Sequence, residues 1–373
     1  MSSLYALQFS CAPATMAVPW YAGTRWVCDT ELTGQGLFMQ PIGSMALPFN
    51  PCPPLPDKSV NDVIIYRAGG IGDLLVAGCI ARALRTRYGV KVGLACNPGY
   101  HPVFDGQPDW DYLVPTPIPD SAVVNREVIP FQMLIEFSAA GRVLPMVDVF
   151  LAGTQVRGEN SGIIPLFLQP EEKIPRYVID PEVAEMALSY PGVGGFFAIA
   201  DNTPIIGIQW ESSSPLRTLP AATLKKLIAL CLKQGWKVAL FGAGGTKENL
   251  PSRTGMIDLR STMSFMATAS LIRHCASMVV PDSACSHLCG ALGVKCNAYF
   301  GPFDPALRVS YYPTVRGHIY DPERLKKACA FAPCGHHERF YNRPPGACQT
   351  AGHCTAMQWK AEEIIEHIKG DLK

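Results

Sequence analysis

An excess of charge of either sign is what this chain most conspicuously lacks. Its 32 lysines and arginines stand against 31 aspartates and glutamates, a net charge of +1. Proteins that grip nucleic acid through its phosphates need a basic face, and no global surplus supplies one, so no strong nucleic-acid signal exists. Charge is also scarce, 17% of residues against a usual share of roughly 25%. With 48% of residues hydrophobic, this excludes a disordered chain and implies a well-buried globule that could also bury surface in a homo-oligomer. Long apolar runs are missing: none approaches the roughly 18 residues that span a bilayer, and the run near Leu74 is cut by Asp73 and Arg82. The first positive charge is Arg25, so no secretory signal is expected. No internal repeat or low-complexity tract stands out.

What is present is length and regular punctuation. The 373 residues exceed what one hydrophobic core supports, so two domains are expected. Residues 1–58 carry many prolines with Trp20 and Trp26, and read as a small β-rich extension ending in the Pro-rich linker Pro51–Pro56. Val63–Tyr66 reads as a buried parallel strand, then comes a glycine turn, then a helix from about Asp73 to Tyr88 stopped by Gly89, then a strand at Val90–Ala95. The stretch 123–169 is apolar but broken by proline and gives no assignment. Asp180-Pro181 has the order of a helix start, and the glycines at 192–195 mark the expected interdomain boundary. Beyond it, strands at Ile205–Trp210, Trp236–Phe241, Met278–Val280 and Val294–Phe300 alternate with helices at Pro220–Gln234, Ser264–Cys275 and Ser283–Leu292. Such alternation means an open parallel sheet with helices on both faces, whose ligands bind at the carboxyl ends of the strands. A closing helix is expected at Met357–Ile368. The expected domains are 1–58, 59–192, 193–327 and 328–373.

Three segments carry candidate chemistry. The first, Gly69-Gly70-Ile71-Gly72-Asp73, follows a strand and opens a helix. The free amides there favour negative charge, and the spacing is neither that of a dinucleotide site nor of a Walker loop. Its plainer reading makes Asp73 a helix cap. The second, Pro281-Asp282-Ser283-Ala284-Cys285-Ser286-His287, also joins strand to helix. The Ser283 and Ala284 amides and the His287 imidazole could surround a diphosphate; alternatively His287 packs on the sheet. The third, Ser212-Ser213-Ser214-Pro215-Leu216-Arg217, places hydroxyls and an arginine at a strand end, suited to phosphate oxygens. Gly242 and Gly244 form another close-approach turn. Arg82, Arg85 and Arg87 read as a solvated helix face, and Trp110, Trp236 and Trp359 as core.

In this order the segments resemble glycosyltransferase family nine, the heptosyltransferases, over roughly residues 60–310. The resemblance rests on Gly72-Asp73, on Ser212-Ser213 with Arg217 and Pro220, and on Asp282-Ser283 with His287. It implies an α/β, GT-B fold of two doubly wound Rossmann-like domains facing a cleft, acceptor domain first and nucleotide-sugar domain second. It also implies an inverting, metal-independent transferase with Asp73 as general base. The donor would be a nucleotide-diphospho-sugar, ADP-heptose-like, held by Ser212, Ser213, Arg217, Ser283, Ala284 and His287, with Asp282 orienting its loop. The acceptor would be a glycan or a protein, near Gly69, Gly70 and Gly72. Ala284 stands where the family usually has glycine, and Gly69-Gly70 replaces a small hydroxyl pair. Competing readings keep the fold but glycosylate a protein or nucleobase, or make it a catalytically silent carbohydrate-binding protein.

Most of the fourteen cysteines sit singly in apolar stretches (Cys79, Cys231, Cys275, Cys289, Cys296) and read as small core hydrophobes of a reducing, cytoplasmic compartment. Cys329, Cys334, Cys348 and Cys354 instead crowd a glycine- and proline-rich segment with His336, His337 and His353. One structural zinc or iron held by those thiolates would organise it. Cysteine-rich C-terminal segments recur in parts of the resembled family, and a subset that modifies autotransporter proteins shares such a metal-bearing finger and an N-terminal extension.

Overall fold

The computed structural model describes residues 4–7, 25–28, 62–123, 126–132, 134–138, 140–157, 163–197, 202–243, 250, 252–329, 331–334 and 354–373. Within the N-terminal extension, β1 (Leu4–Leu7) pairs antiparallel with β2 (Arg25–Cys28). The chain forms two compact units. One takes residues 1–69 and 77–169, the other residues 70–76 and 170–373.

The first unit is built on a four-stranded parallel sheet in the order β5-β4-β3-β6. Its strands are β3 (Asp62–Tyr66), β4 (Lys91–Cys96), β5 (Tyr112–Pro115) and β6 (Glu127–Pro130). Val63, Ile64 and Ile65 are fully buried, as a strand covered on both faces requires. Helix α1 (Ile71–Tyr88) follows β3 and ends at Gly89, whose φ of +64° ends the helical path. At the carboxyl end of β3, Arg67 is 1% exposed and clamps Glu136 through both guanidinium arms, at 2.5 and 3.0 Å. Its Nη1 also donates to the Phe131 carbonyl at 3.2 Å. The unassigned stretch 123–169 holds short pieces, among them α2 (Met146–Gly153), β7 (Gln155–Arg157) and β8 (Ile163–Pro165).

The expectation of a solvated arginine face holds for Arg87, which is exposed, and is corrected for the ion-paired Arg82 and Arg85. Arg82 pairs with Asp109 at 3.1 Å and Arg85 with Asp111 at 2.8 Å, while Arg87 donates to the Phe167 carbonyl. The loop before β5 supplies the carboxylates, and it approaches the helix only in three dimensions.

The second unit carries a six-stranded parallel sheet in the order β11-β10-β9-β12-β13-β14. These are β9 (Ile205–Ile208), β10 (Lys237–Leu240), β11 (Met256–Asp258), β12 (Ser277–Pro281), β13 (Cys296–Tyr299) and β14 (Val315–His318). The winding runs outward from β9 in one direction and resumes at β12 in the other. The switch therefore falls between β9 and β12, the place in open α/β sheets where a crevice forms at the carboxyl ends. Its helices of seven or more residues among those described are α3 (Pro181–Ser189), α4 (Ala221–Lys233), α5 (Phe265–Ile272), α6 (Ala284–Leu292), α7 (Pro322–Ala328) and α8 (Ala361–Leu372).

The units divide at Gln169 and Pro170, ahead of the boundary expected at 192/193. The reason is packing: Tyr177, just before α3, stands edge-on to Phe265 of α5, with ring centroids 5.5 Å apart. Asp180 caps α3 as expected, accepting from the Glu182 amide at 2.8 Å. The closing helix begins at Ala361, not Met357. Thr355–Met357 is a separate 3-10 turn, and the Lys360 amide donates to Glu363 Oε2 at 3.1 Å to start the helix. That helix packs on α4 and the sheet: Ile364, Ile365 and Ile368 join Leu224, Leu227 and Ile228 in one buried cluster. Trp110 and Trp359 are buried, and Trp236 packs partly buried against the same cluster.

Candidate functional site

The segments at the switch of the second unit are bound to one another. From the loop after β9, Ser212 Oγ donates to the Asp282 carbonyl at 3.2 Å, and Arg217 Nη1 donates to it at 3.0 Å. The same guanidinium nitrogen lies 3.5 Å from Asp282 Oδ2, and Nη2 donates to Ser213 Oγ at 2.9 Å. Asp282 is 3% exposed, and its amide donates to the Tyr299 carbonyl at 3.1 Å. A buried carboxylate needs such a charge partner. Arg217 thus ties the serine loop after β9 to the turn after β12.

Ser283 occupies the position before the first turn of α6 in extended geometry, with φ −154° and ψ 172°. Its hydroxyl does not cap the helix; it donates to Gln209 Oε1 at 2.7 Å. Ser214, unlike Ser283, does cap its own turn, accepting from the Leu216 amide. The amides at the start of α6 are consequently not taken by the Ser283 side chain. Among described residues this leaves a helix N-terminus, with its partial positive charge, at the sheet switch point.

Gly70 and the start of α1 up to Val76 belong to this same unit. A side chain at Gly72 would begin 2.7 Å from His287 Cδ2, 3.2 Å from Ala284 Cα and 3.4 Å from His287 Nε2. No ordinary side chain fits there; the first turns of α1 and α6 approach as closely as they do because residue 72 has none. Gly70, by contrast, has nothing within 4 Å of where a side chain would start. Asp73 is not the helix cap. It is the third residue of α1, half-buried, and its amide donates to the Gly70 carbonyl at 3.0 Å. Its carboxylate therefore sits in a helix's first turn, where negative charge is favoured.

His287 lies on the inner face of α6, 3% exposed. Burial pushes its pKa down to about 4, with Asp282 and Asp73 opposing that shift and Arg308 and Arg217 adding to it. Removal from water outweighs the two carboxylates and favours the neutral imidazole. It can offer a hydrogen bond, not a charge. Its Nδ1 lies 2.8 Å from the Tyr312 hydroxyl.

Gly242 follows β10 with φ +142°, a conformation side chains rarely adopt; Gly244 lies outside the described residues. Three groups escaped sequence reasoning: Gln209, Tyr312 and Arg308. Gln209 directly follows β9 and carried a readable signal, a polar residue between the apolar Ile208 and Trp210. Tyr312 and Arg308 sit after β13 and carried none. Of the cysteine set, Cys354 is buried, Cys329 half-buried and Cys334 exposed; Cys348 and the histidines at 336, 337 and 353 lie outside the described residues. Among the described residues no group of three or more His, Cys, Asp or Glu is placed to hold a metal. Cys79, Cys231, Cys275, Cys289 and Cys296 are buried free thiols, as expected of core residues. Among the described residues no helix is long and apolar enough to cross a membrane.

Residues 170–330 match the model of glycosyltransferase family 9 (heptosyltransferase). No curated protein matches the chain. Among solved structures, ADP-heptose LPS heptosyltransferase II of E. coli is similar at 14% identity, over 83% of this chain and 98% of that one, with TM-score 0.58. A family 9 glycosyltransferase from Veillonella parvula is also 14% identical, over 84% and 97%, with TM-score 0.58. The iron-containing dodecameric glycosyltransferase TibC from enterotoxigenic E. coli is 14% identical over 84% and 79%, with TM-score 0.55. The resemblance read from the motifs is borne out, and so is the α/β fold of two parallel-sheet, Rossmann-like units expected of a GT-B protein. The expected class, glycosyltransferase, is that of the matching family and of these three structures.

Proposed function

We propose that this chain, a glycosyltransferase of the family nine pattern, transfers a sugar from a nucleotide-diphospho-sugar to an acceptor hydroxyl with inversion. ADP-heptose is the first donor to test, because the matched family and E. coli heptosyltransferase II are named for that chemistry. The observation that carries the reading is the approach of Gly72 to Ala284 and His287. It brings the Asp73 turn next to the N-terminus of α6 without a side chain between them.

An acceptor hydroxyl is a poor nucleophile until a base removes its proton as the new bond forms. Asp73 supplies that base. The attacking oxygen closes on the anomeric carbon from the face opposite the diphosphate, so a single displacement inverts the sugar. The departing nucleoside diphosphate gains negative charge. The Ser283 and Ala284 amides, the Arg217 guanidinium and an N–H of neutral His287 meet that charge with donors already fixed in place. Ser212, Ser213 and Asp282 hold Arg217 and the loop in register, and Gly242 lies at the same strand ends. These fixed donors would stabilise the leaving group without a bound cation. The acceptor, a glycan or a protein, would enter beside Gly69, Gly70 and Gly72.

Residues 1–58 are proposed as extension, the unit that ends at Gln169 as acceptor domain, the unit that begins at Pro170 as donor domain, and residues 328–373 as its cysteine-rich closure. Cys329, Cys334, Cys348 and Cys354 are proposed to share one structural zinc or iron that takes no part in the chemistry. The cytoplasm is the proposed compartment.

A screen of nucleotide sugars by thermal shift tests the reading, because a ligand bound only to the folded state raises stability by mass action. ADP-heptose should raise the melting temperature, and purified protein should release ADP from it when given acceptor. No shift with any nucleotide sugar or nucleoside diphosphate would remove the donor assignment.

A further inference from the structure

We propose that Tyr312 is a positioning residue for His287: its hydroxyl donates to Nδ1 and so fixes the imidazole with its proton on Nε2, the nitrogen that faces Gly72 and the departing diphosphate. The proposal deepens the transferase reading and rests on it for the identity of the group that Nε2 meets.

Four observations carry it. The Nδ1 to hydroxyl distance is 2.8 Å, and both residues are buried, at 3% and 5% exposure. The rings stand edge to face, centroids 5.7 Å apart and planes at 79°, so the hydroxyl meets the ring nitrogen rather than the π face. The opposite edge of the imidazole faces Gly72, with Nε2 3.4 Å from where a side chain there would begin. Finally, the contact has been given room. A side chain at Gly290, three residues along α6, would start 2.7 Å from Tyr312 Cδ2 and Cγ. Gly72 and Gly290 clear the two sides of one edge-to-face pair.

The direction of the bond follows from the chemistry of its partners. A phenol is the better donor and a neutral imidazole nitrogen the better acceptor, so the strong arrangement has the tyrosine proton aimed at Nδ1. A neutral imidazole whose Nδ1 accepts must carry its proton on Nε2. The neighbourhood agrees: Asp73 and Asp282 are the acidic groups that act on this ring, and a ring N–H directed toward carboxylate and diphosphate oxygens is favoured over a lone pair. Arg217 and Arg308 are the cations that act on it, and they oppose a second ring proton. A flipped tautomer would present a lone pair to the diphosphate and replace an attraction with a repulsion.

The experiment is nitrogen NMR of the full chain labelled with 15N-histidine, with His287 assigned by His287→Gln. Wild type at pH 7 should show His287 as the neutral Nε2–H tautomer. Tyr312→Phe should mix the tautomers and weaken ADP binding roughly three- to tenfold. His287→Gln, whose side-chain amide can donate at a similar place, should retain more ADP affinity than His287→Ala. An Nδ1–H tautomer or an imidazolium in wild type would overturn the proposal, as would Tyr312→Phe with unchanged tautomer and unchanged ADP affinity. Should Tyr312→Phe fold poorly, the wild-type spectrum alone still decides it. If wild type binds no ADP, the donor reading fails, while the tautomer still reports on Tyr312.

Discussion

His287 occupies the space in which a side chain at Gly72 would begin, its Cδ2 2.7 Å from that point. The two residues come from strand-to-helix turns far apart in the sequence, and their approach brings an acidic first turn against a helix N-terminus. Gly72→Ala should therefore displace one of the two turns. Overpacking of this kind costs about 1–3 kcal/mol, and turnover should fall further than stability alone explains. Gly70→Ser serves as the comparison, since nothing lies within 4 Å of that position and serine caps helices well. Its melting temperature should equal or exceed that of wild type. Equal melting temperatures and turnover for wild type and Gly72→Ala would contradict the close approach.

Arg217 is the cation that ties Ser213 to Asp282. Arg217→Ala should weaken binding of ADP by about ten- to a hundredfold, the scale of a hydrogen bond to a charged group at roughly 1.5–3 kcal/mol. Calorimetry reads this directly, and EDTA should leave wild-type turnover intact. Unchanged affinity in the variant would place the diphosphate elsewhere.

Stability should depend on pH through one buried histidine, His287, and one half-buried histidine, His318. Burial lowers the pKa of His287 to about 4 and that of His318 to about 3; His367, stacked on His318 at 3.9 Å between centroids, adds to the second shift. In the unfolded chain both titrate near 6.5. Between that value and the native ones the unfolded state binds more protons, so stability present above pH 6.5 is lost as pH falls. Each group should contribute a slope of up to about 1.4 kcal/mol per pH unit. Urea titrations from pH 7 to pH 5 should show the decline, and His287→Gln and His318→Gln should each flatten it. A flat profile in wild type would mean that these rings are solvated.

The doubly wound second unit was legible because its signals are local. Apolar runs such as 205–208 and 277–281 alternate with helices stopped by glycines, and Gly235 adopts φ +79° as a helix stop should. The serine loop, Arg217 and the Asp282 turn were legible for the same reason, since strand ends of a parallel sheet collect ligand groups. Stretch 123–169 was opaque because its pieces are three to eight residues long, too short to show a period. The partners of the site residues were opaque for another reason. Gln209 lies 74 residues from Ser283 and Tyr312 lies 25 from His287, and only the fold brings them together. Arg82 and Arg85 were misread as solvated because Asp109 and Asp111 are 27 and 26 residues further on.

For the cysteine-rich segment, elemental analysis of protein purified without a histidine tag should give close to one zinc or iron per chain. Cys334→Ser combined with Cys348→Ser should lose that metal and lower the melting temperature while leaving ADP affinity in place, because a structural metal adds its binding free energy to folding. Metal-free protein with all four thiols reactive toward a thiol reagent would contradict this.

The central claim is that Asp73 takes the acceptor's proton. Asp73 is half-buried in the first turn of α1, follows the Gly72 that meets His287 and Ala284, and acts electrostatically on His287. Asp73→Asn keeps the shape and removes the base, so single-turnover transfer from ADP-heptose should fall at least about a hundredfold, with ADP affinity and melting temperature close to wild type. Transfer by Asp73→Asn at the wild-type rate would contradict the account.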